Sequence, residues 1–230
     1  MLQVTIMEQQ YDQELIPIMH RILDVSAKTI HLEQVPNWPR DSLPKSPIIQ
    51  KLGLIVIPVL YPWWCRDLEI EYEQFGPYSP IISEVFEEML QQGQCSIQED
   101  FLEVQPSSFE ERSNFPEITE LIIQKLISYS TNPILTQFET IELFSIISVE
   151  QEELFRSMKI LRRMVSISEE NKKILSKRVF KRMRTIPHLN SFINERGSLY
   201  ASKFISETID AFYDAITGFS GFNSEKMFLN

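Results

Sequence analysis

Hydrophobic positions recur at helical spacing along most of the chain, interrupted by prolines and by a few short extended stretches. From Glu8 to Lys28, the residues Tyr11, Leu15, Ile18, Ile22 and Val25 share one helical face. Pro17 lies inside this segment and predicts a kink or a late start. His31 to Pro47 carries Pro36, Pro39, Pro44 and Pro47 around Trp38, and reads as an ordered loop. Ile48 to Tyr61 is almost wholly apolar. Its β-branched residues, Gly53 and Pro58 argue for a strand, while its length also permits a buried helix. Leu68 to Phe75 alternates loosely and predicts a short extended arm.

That arm ends at Phe75-Gly76-Pro77-Tyr78-Ser79-Pro80. Gly76 frees the backbone to turn and Pro77 fixes φ directly after it. Ser79 reads as an N-cap with Pro80 at the first helical position. In the helix that follows, Ile82, Phe86 and Leu90 make one row and Val85 and Met89 another, with Glu84, Glu87, Glu88 and Gln91 facing away. Gly93 is placed to end it. Ser96 to Gln105 predicts a small β-hairpin, and polar residues 106–114 separate the two halves of the chain.

The second half is patterned as helix nearly throughout. Pro116 opens a segment carrying Ile118, Leu121, Ile122, Leu126 and Ile127. Thr136-Gln-Phe-Glu139 is a capping-box pattern that opens a helix through Ile147. Ser148-Val-Glu-Gln151 reads as a second one, ahead of Leu154, Met158, Leu161 and Val165. Ser168, with Glu169 and Glu170 behind it, opens a third helix through Ile174, Leu175, Val179 and Met183. A last helix is expected from Leu189 to Ile216 with a break near Gly197. The fold class is therefore mainly α: a unit over residues 1–110 with a small β-hairpin, then a helical bundle over 111–230.

Composition adds one strong feature. Net charge is −10, but its distribution is uneven. Residues 1–155 hold 8 Lys+Arg against 25 Asp+Glu, whereas residues 156–203 hold 13 against 3. A basic surface on an acidic body is the expectation. Its candidate residues are Arg162, Arg163, Lys173, Lys177, Lys181, Arg182 and Arg184, which suit either phosphate groups or an acidic protein surface. The favoured reading is that they complement acidic residues, within the chain or between chains. The first apolar run is broken by Glu8, Asp12 and Glu14, unlike a leader segment. No stretch reaches the roughly 20 apolar residues of a membrane span. With only Cys65 and Cys95, no disulfide framework is implied, and a reduced, cytoplasmic setting is expected.

Catalytic and metal-binding patterns are missing from the sequence. His20, His31, His188, Cys65 and Cys95 do not fall at ligand spacing. The six glycines form no phosphate-binding loop, and no serine sits in a nucleophile elbow. No metal or cofactor is expected. Glu69, Glu71 and Glu73 alternate along the arm, and read first as a solvated edge that discourages strand pairing. Trp63 and Trp64, with Tyr61 and Tyr78, form an aromatic group of the kind that anchors cores and interfaces. Trp63, Trp64, Tyr78, Glu69, Glu71 and Glu73 are thus the candidate partner-binding residues.

Gln50-Lys51-Leu52, the apolar run and Phe75-Gly76-Pro77-Tyr78-Ser79 together resemble a group of small bacterial proteins, the Panacea (SocA-like) antitoxin domains. The likeness covers residues 46–105. It implies a winged-helix-like unit, a helix beginning at the Lys-Leu pair, and a toxin-neutralising or phage-defence role. Phe75 stands where Tyr is usual, and Trp63-Trp64 is outside the pattern. The expected function is a non-enzymatic regulatory or assembly protein that binds a protein partner or a second copy of itself. The alternatives are a DNA- or RNA-binding regulator using the basic helices 156–184, and an enzyme with a pocket joining Glu71, His20 or His31 and Trp64.

Overall fold

The structure, a computed structural model, describes residues 15–23, 47–60, 65, 67–98, 101–104, 122, 124–125, 134–158 and 167–217. Among these are seven helices. They are α1 (15–23), α2 (Pro47–Leu60), α3 (Pro80–Gln91), α4 (Gln137–Ser157), α5 (Glu169–Met183), α6 (Pro187–Arg196) and α7 (Ser198–Thr217). Strands β1 (Glu71–Glu73) and β2 (Gly76–Tyr78) form one antiparallel hairpin, and β3 (Cys95–Gln98) and β4 (Phe101–Val104) a second. The protein is mainly helical. No helix among the described residues is long and apolar enough to cross a membrane.

α4 organises the rest. Every residue from Thr140 to Glu150 is buried, so no side of the helix is left to water over three turns. α2 lies along it, α5, α7 and β2 pack against other sides, and α6 closes on α7. Leu52, Ile55, Phe144, Ile147, Val179 and Phe212 all belong to one hydrophobic core that also takes in α1 and α3. Residues 106–114, expected to divide two units, lie outside the described residues; Met89 and Cys95 before them and Ile122 after them belong to this same core.

Pro47–Leu60 is a helix, in spite of Gly53 and Pro58. Gly53 has a packing reason: a Cβ there would come within 3.0 Å of the Ile82 side chain. Local signals were sound at several ends. Ser79 Oγ accepts from the Ile82 N–H at 3.3 Å and Ser168 Oγ from the Asn171 N–H at 3.2 Å. Thr136 and Glu139 form the complete reciprocal capping box. Gly93 and Gly197 have φ of +69° and +86°, ending α3 and separating α6 from α7.

Two expectations are corrected. Ser148 does not open a helix, because α4 runs unbroken from Gln137 to Ser157. Its hydroxyl donates sideways to the Ile55 carbonyl of α2 at 3.1 Å, which satisfies it in mid-helix. The glutamate row is shorter than its alternation suggests, since Glu69 has φ of +48° and only Glu71 and Glu73 lie in β1. The arm also folds back: Glu73 pairs with Gly76 and Glu71 with Tyr78, so Gly76-Pro77-Tyr78 is itself a strand.

Candidate functional site

A helix buried on all sides must satisfy its own polar residues. Thr140 and Ser145 do so locally, donating to the carbonyls of Thr136 and Glu142 at 2.9 and 2.7 Å. Glu142 and Glu150 cannot, and each draws partners from elsewhere in the chain. They define two polar centres on one helix.

The first centre surrounds Glu142, whose side chain is fully buried. His188 of α6 donates from Nε2 to its Oε2 at 2.5 Å. The other oxygen, Oε1, has no hydrogen-bond partner among the described residues. Gly76 approaches this oxygen, and Phe75 places its ring 6.0 Å from the His188 ring. Lys51 of α2 is also buried here, and its Nζ donates to the Pro77 carbonyl at 2.6 Å. Burial pulls the Lys51 amine down to about 8, against the opposing charges of Glu142 and Glu73. Burial also opposes the charged form of His188, but the hydrogen bond and charge of Glu142, with Glu139, raise it above its ordinary value.

Next to Lys51, Gln50 clasps Ser79 from both sides. Its Nε2 donates to the Ser79 carbonyl at 3.0 Å and to Ser83 Oγ at 2.7 Å, and its Oε1 accepts from the Ser79 N–H at 3.2 Å. Ser79 Oγ donates to the Leu68 carbonyl. Gln50, Lys51, Gly76, Pro77 and Ser79 therefore meet in space although the two segments lie 26 to 29 positions apart. This knot ties α2, the first hairpin, α3, α4 and α6 together.

The second centre surrounds Glu150, whose side chain is 2% exposed. Arg178 donates from Nε to Oε2 at 2.6 Å, and Arg182 from Nε to Oε1 at 2.5 Å. Tyr72 of β1 donates its hydroxyl to Oε1 at 3.0 Å, and the Arg182 guanidinium lies 4.0 Å over its ring. Arg178 also reaches Glu153 at 2.6 Å. Burial works against the Glu150 carboxylate, but the two arginines hold its carboxyl below the usual range. Burial and the adjoining Glu150 charge push the Tyr72 phenol up. Hairpin, α4 and α5 are joined through this one carboxylate.

The sequence candidates fall in different surroundings. Gly76, Pro77 and Ser79 are buried parts of the first centre. Arg182 belongs to the second centre and faces inward as an ion-pair partner. Lys173, Lys177 and Lys181 are exposed on α5 and Arg184 at its C-cap, and Glu69, Glu71 and Glu73 are exposed on and before β1. Tyr78 is half-buried. Trp63, Trp64, Arg162 and Arg163 lie outside the described residues. Neither Glu142 nor Glu150 stood out among so many carboxylates; each is recognisable only through cations that arrive 28 to 46 residues later. Among the described residues, no group of three or more His, Cys, Asp or Glu side chains is placed to hold a metal ion. No protein-family model matches the chain, and neither does any curated protein or solved structure.

Proposed function

We propose that this protein is a non-enzymatic regulatory or assembly component that works by binding another protein. The observation that carries the reading is the division of the basic segment into two populations. Arg178 and Arg182 are committed to Glu150 and Glu153, whereas Lys173, Lys177 and Lys181 project outward without an ion-pair partner among the described residues. The buried Lys51 and Glu142 are engaged in joining elements, which supports a scaffolding role for the titratable interior. Helix, hairpin, helix, hairpin is the order over residues 47–104, and it supports the winged-helix-like description of that unit. The toxin-neutralising or defence-associated role rests on the resemblance of Gln50-Lys51-Leu52 and Phe75–Ser79 to the Panacea antitoxin domains.

The test is capture from a native lysate with and without nuclease, followed by identification of what is retained. A defined protein that survives nuclease supports the reading; retention of nucleic acid alone refutes it. The exposed lysines favour one second reading, a DNA- or RNA-binding regulator using Lys173, Lys177, Lys181 and Arg184. Four phosphate contacts would lower affinity about a hundredfold between roughly 50 and 200 mM salt. Binding without that slope removes the second reading.

A further inference from the structure

The first turn of α6 meets the β1–β2 hairpin beside one buried charge. The His188 and Phe75 rings lie 6.0 Å apart, and a Cβ on Gly76 would come 3.5 Å from Ile186 Cδ1 and 3.1 Å from Glu142 Oε1. Glu142 is fully buried, with Oε2 on His188 Nε2 and Oε1 without a hydrogen-bond partner among the described residues. A buried carboxylate in this state is tolerated while a cation stands beside it and is costly without one. His188 depends on Glu142 in turn. It is the second residue of α6, behind Pro187, where the positive end of the helix dipole disfavours an imidazolium. No side chain caps that end of the helix, and 10 residues make a marginal helix apart from its packing. The His188 side chain is also 29% exposed, so protons exchange with it freely while Glu142 stays dry.

We propose that this contact is a pH-operated latch: charged His188 holds the first turn of α6 on Glu142, and loss of its proton frees that turn from the hairpin and lets water reach the carboxylate. The groups facing the imidazole are Glu142 and Glu139 of α4, Lys51 of α2 and the uncharged Phe75 ring of the hairpin. Arg184, at the C-cap of α5, turns to the Phe180 ring and Ser198, and α7 meets α6 through Phe192, Tyr200 and Phe204. Glu195 and Arg196 lie at the opposite end of α6. Burial opposes the imidazolium, the hydrogen bond and charge of Glu142, with Glu139, favour it and prevail, and Lys51 opposes it more weakly. The closed latch therefore binds the proton more tightly than the released one, and release grows as pH rises from 6.5 through the raised value. Lys51 stays on the Pro77 carbonyl and, drawn down to about 8 by burial, leaves Glu142 without a second cation at alkaline pH. The rest of α6 keeps its place, with Phe192 packed 5.4 Å from Phe204 of α7. The latch does not depend on which partner the protein binds.

The test pairs an NMR titration of His188 with amide hydrogen exchange in the intact protein, corrected for the intrinsic effect of pH on exchange, between about pH 5.5 and about pH 8.5. The Asn190 N–H, which donates to the Ile186 carbonyl at 2.8 Å, reports the first turn of α6, and the amides of α7 report wider opening. Each unit by which His188 titrates above 6.5 should multiply opening at Asn190 about tenfold over that range, with no matching rise in α7. His188→Gln keeps a donor for Glu142 but carries no titrating proton, and should abolish the pH dependence. A His188 that titrates at or below 6.5 would overturn the proposal, as would a raised titration that opening at Asn190 does not follow. So would an equal rise throughout α7, or a pH dependence that survives in His188→Gln. Opening that falls as pH rises would mean that Lys51 is uncovered instead, and would also overturn it. Wild type alone supplies the titration and the exchange, so a His188→Gln chain that does not fold leaves the decision intact.

Discussion

Replacing Gly76 by alanine isolates the contact on which the first polar centre depends. Gly76 has φ of +84°, and the left-handed region costs alanine about 1–2 kcal/mol. The new Cβ would also lie 3.1 Å from Oε1 and 3.3 Å from Cγ of Glu142. Glu142 has little freedom to withdraw, because it is fully buried and its other oxygen is held by His188. Overpacking of this kind adds roughly 1–3 kcal/mol. Gly93 provides the control: its φ is +69°, but a Cβ there meets nothing within 4 Å. Gly93→Ala should therefore cost only the backbone contribution, about 1–2 kcal/mol. The gain from restricting the unfolded chain is common to both and cancels in the comparison. Urea unfolding of the two variants and wild type gives the difference directly, and Gly76→Ala should be less stable than Gly93→Ala by about 1–3 kcal/mol. Gly76→Val should be worse still. Equal losses at the two glycines would refute the close approach of the hairpin to Glu142.

Glu150→Gln removes the charge shared by Arg178, Arg182 and Tyr72, and should lower stability by about 2–3 kcal/mol in urea titrations. An unchanged midpoint would mean that the junction contributes nothing. His188 predicts a pH slope, since its folded value is raised above the ordinary 6.5. Its contribution is complete below pH 6.5 and is lost as pH rises through the folded value, so His188→Gln should flatten stability against wild type in that window. Lys51 acts oppositely: with its folded value near 8 against 10.5, the cost of its burial is relieved as pH rises between them. Ser148→Ala should cost about 1 kcal/mol through the lost bond to Ile55, without shortening α4 by circular dichroism.

Elements whose determinants are local were legible in the sequence. Ser79, Thr136 and Ser168 cap their helices through residues three positions on, and Gly93 and Gly197 mark breaks that any tertiary setting would respect. Ser148 shows where local reading stops. Ser-x-x-Gln describes a helix start equally well as a buried mid-helix serine, and only the Ile55 carbonyl from 93 residues away decides between them. Glu142 and Glu150 escaped for a related reason. A carboxylate is buried when cations come to it, and His188, Arg178 and Arg182 arrive from helices that sequence spacing does not align. The basic segment was recognised as a unit, yet its two halves do different work. Arg178 and Arg182 face α4 while Lys173, Lys177 and Lys181 face water, a division set by the rotation of α5 on the core through Leu175, Val179 and Met183. The motif pair Gln50-Lys51 and Gly76–Ser79 was legible as pattern; its meaning as one hydrogen-bonded knot was not.

We propose that the outward lysines of α5 meet protein. The most direct measurement compares what wild type and K173E/K177E/K181E retain from a nuclease-treated native lysate, read by quantitative mass spectrometry. Wild type should retain a defined protein, either a second copy of this chain or another, that the variant loses at least tenfold. Equal retention by both, or a wild type whose retained material disappears entirely with nuclease, would contradict it.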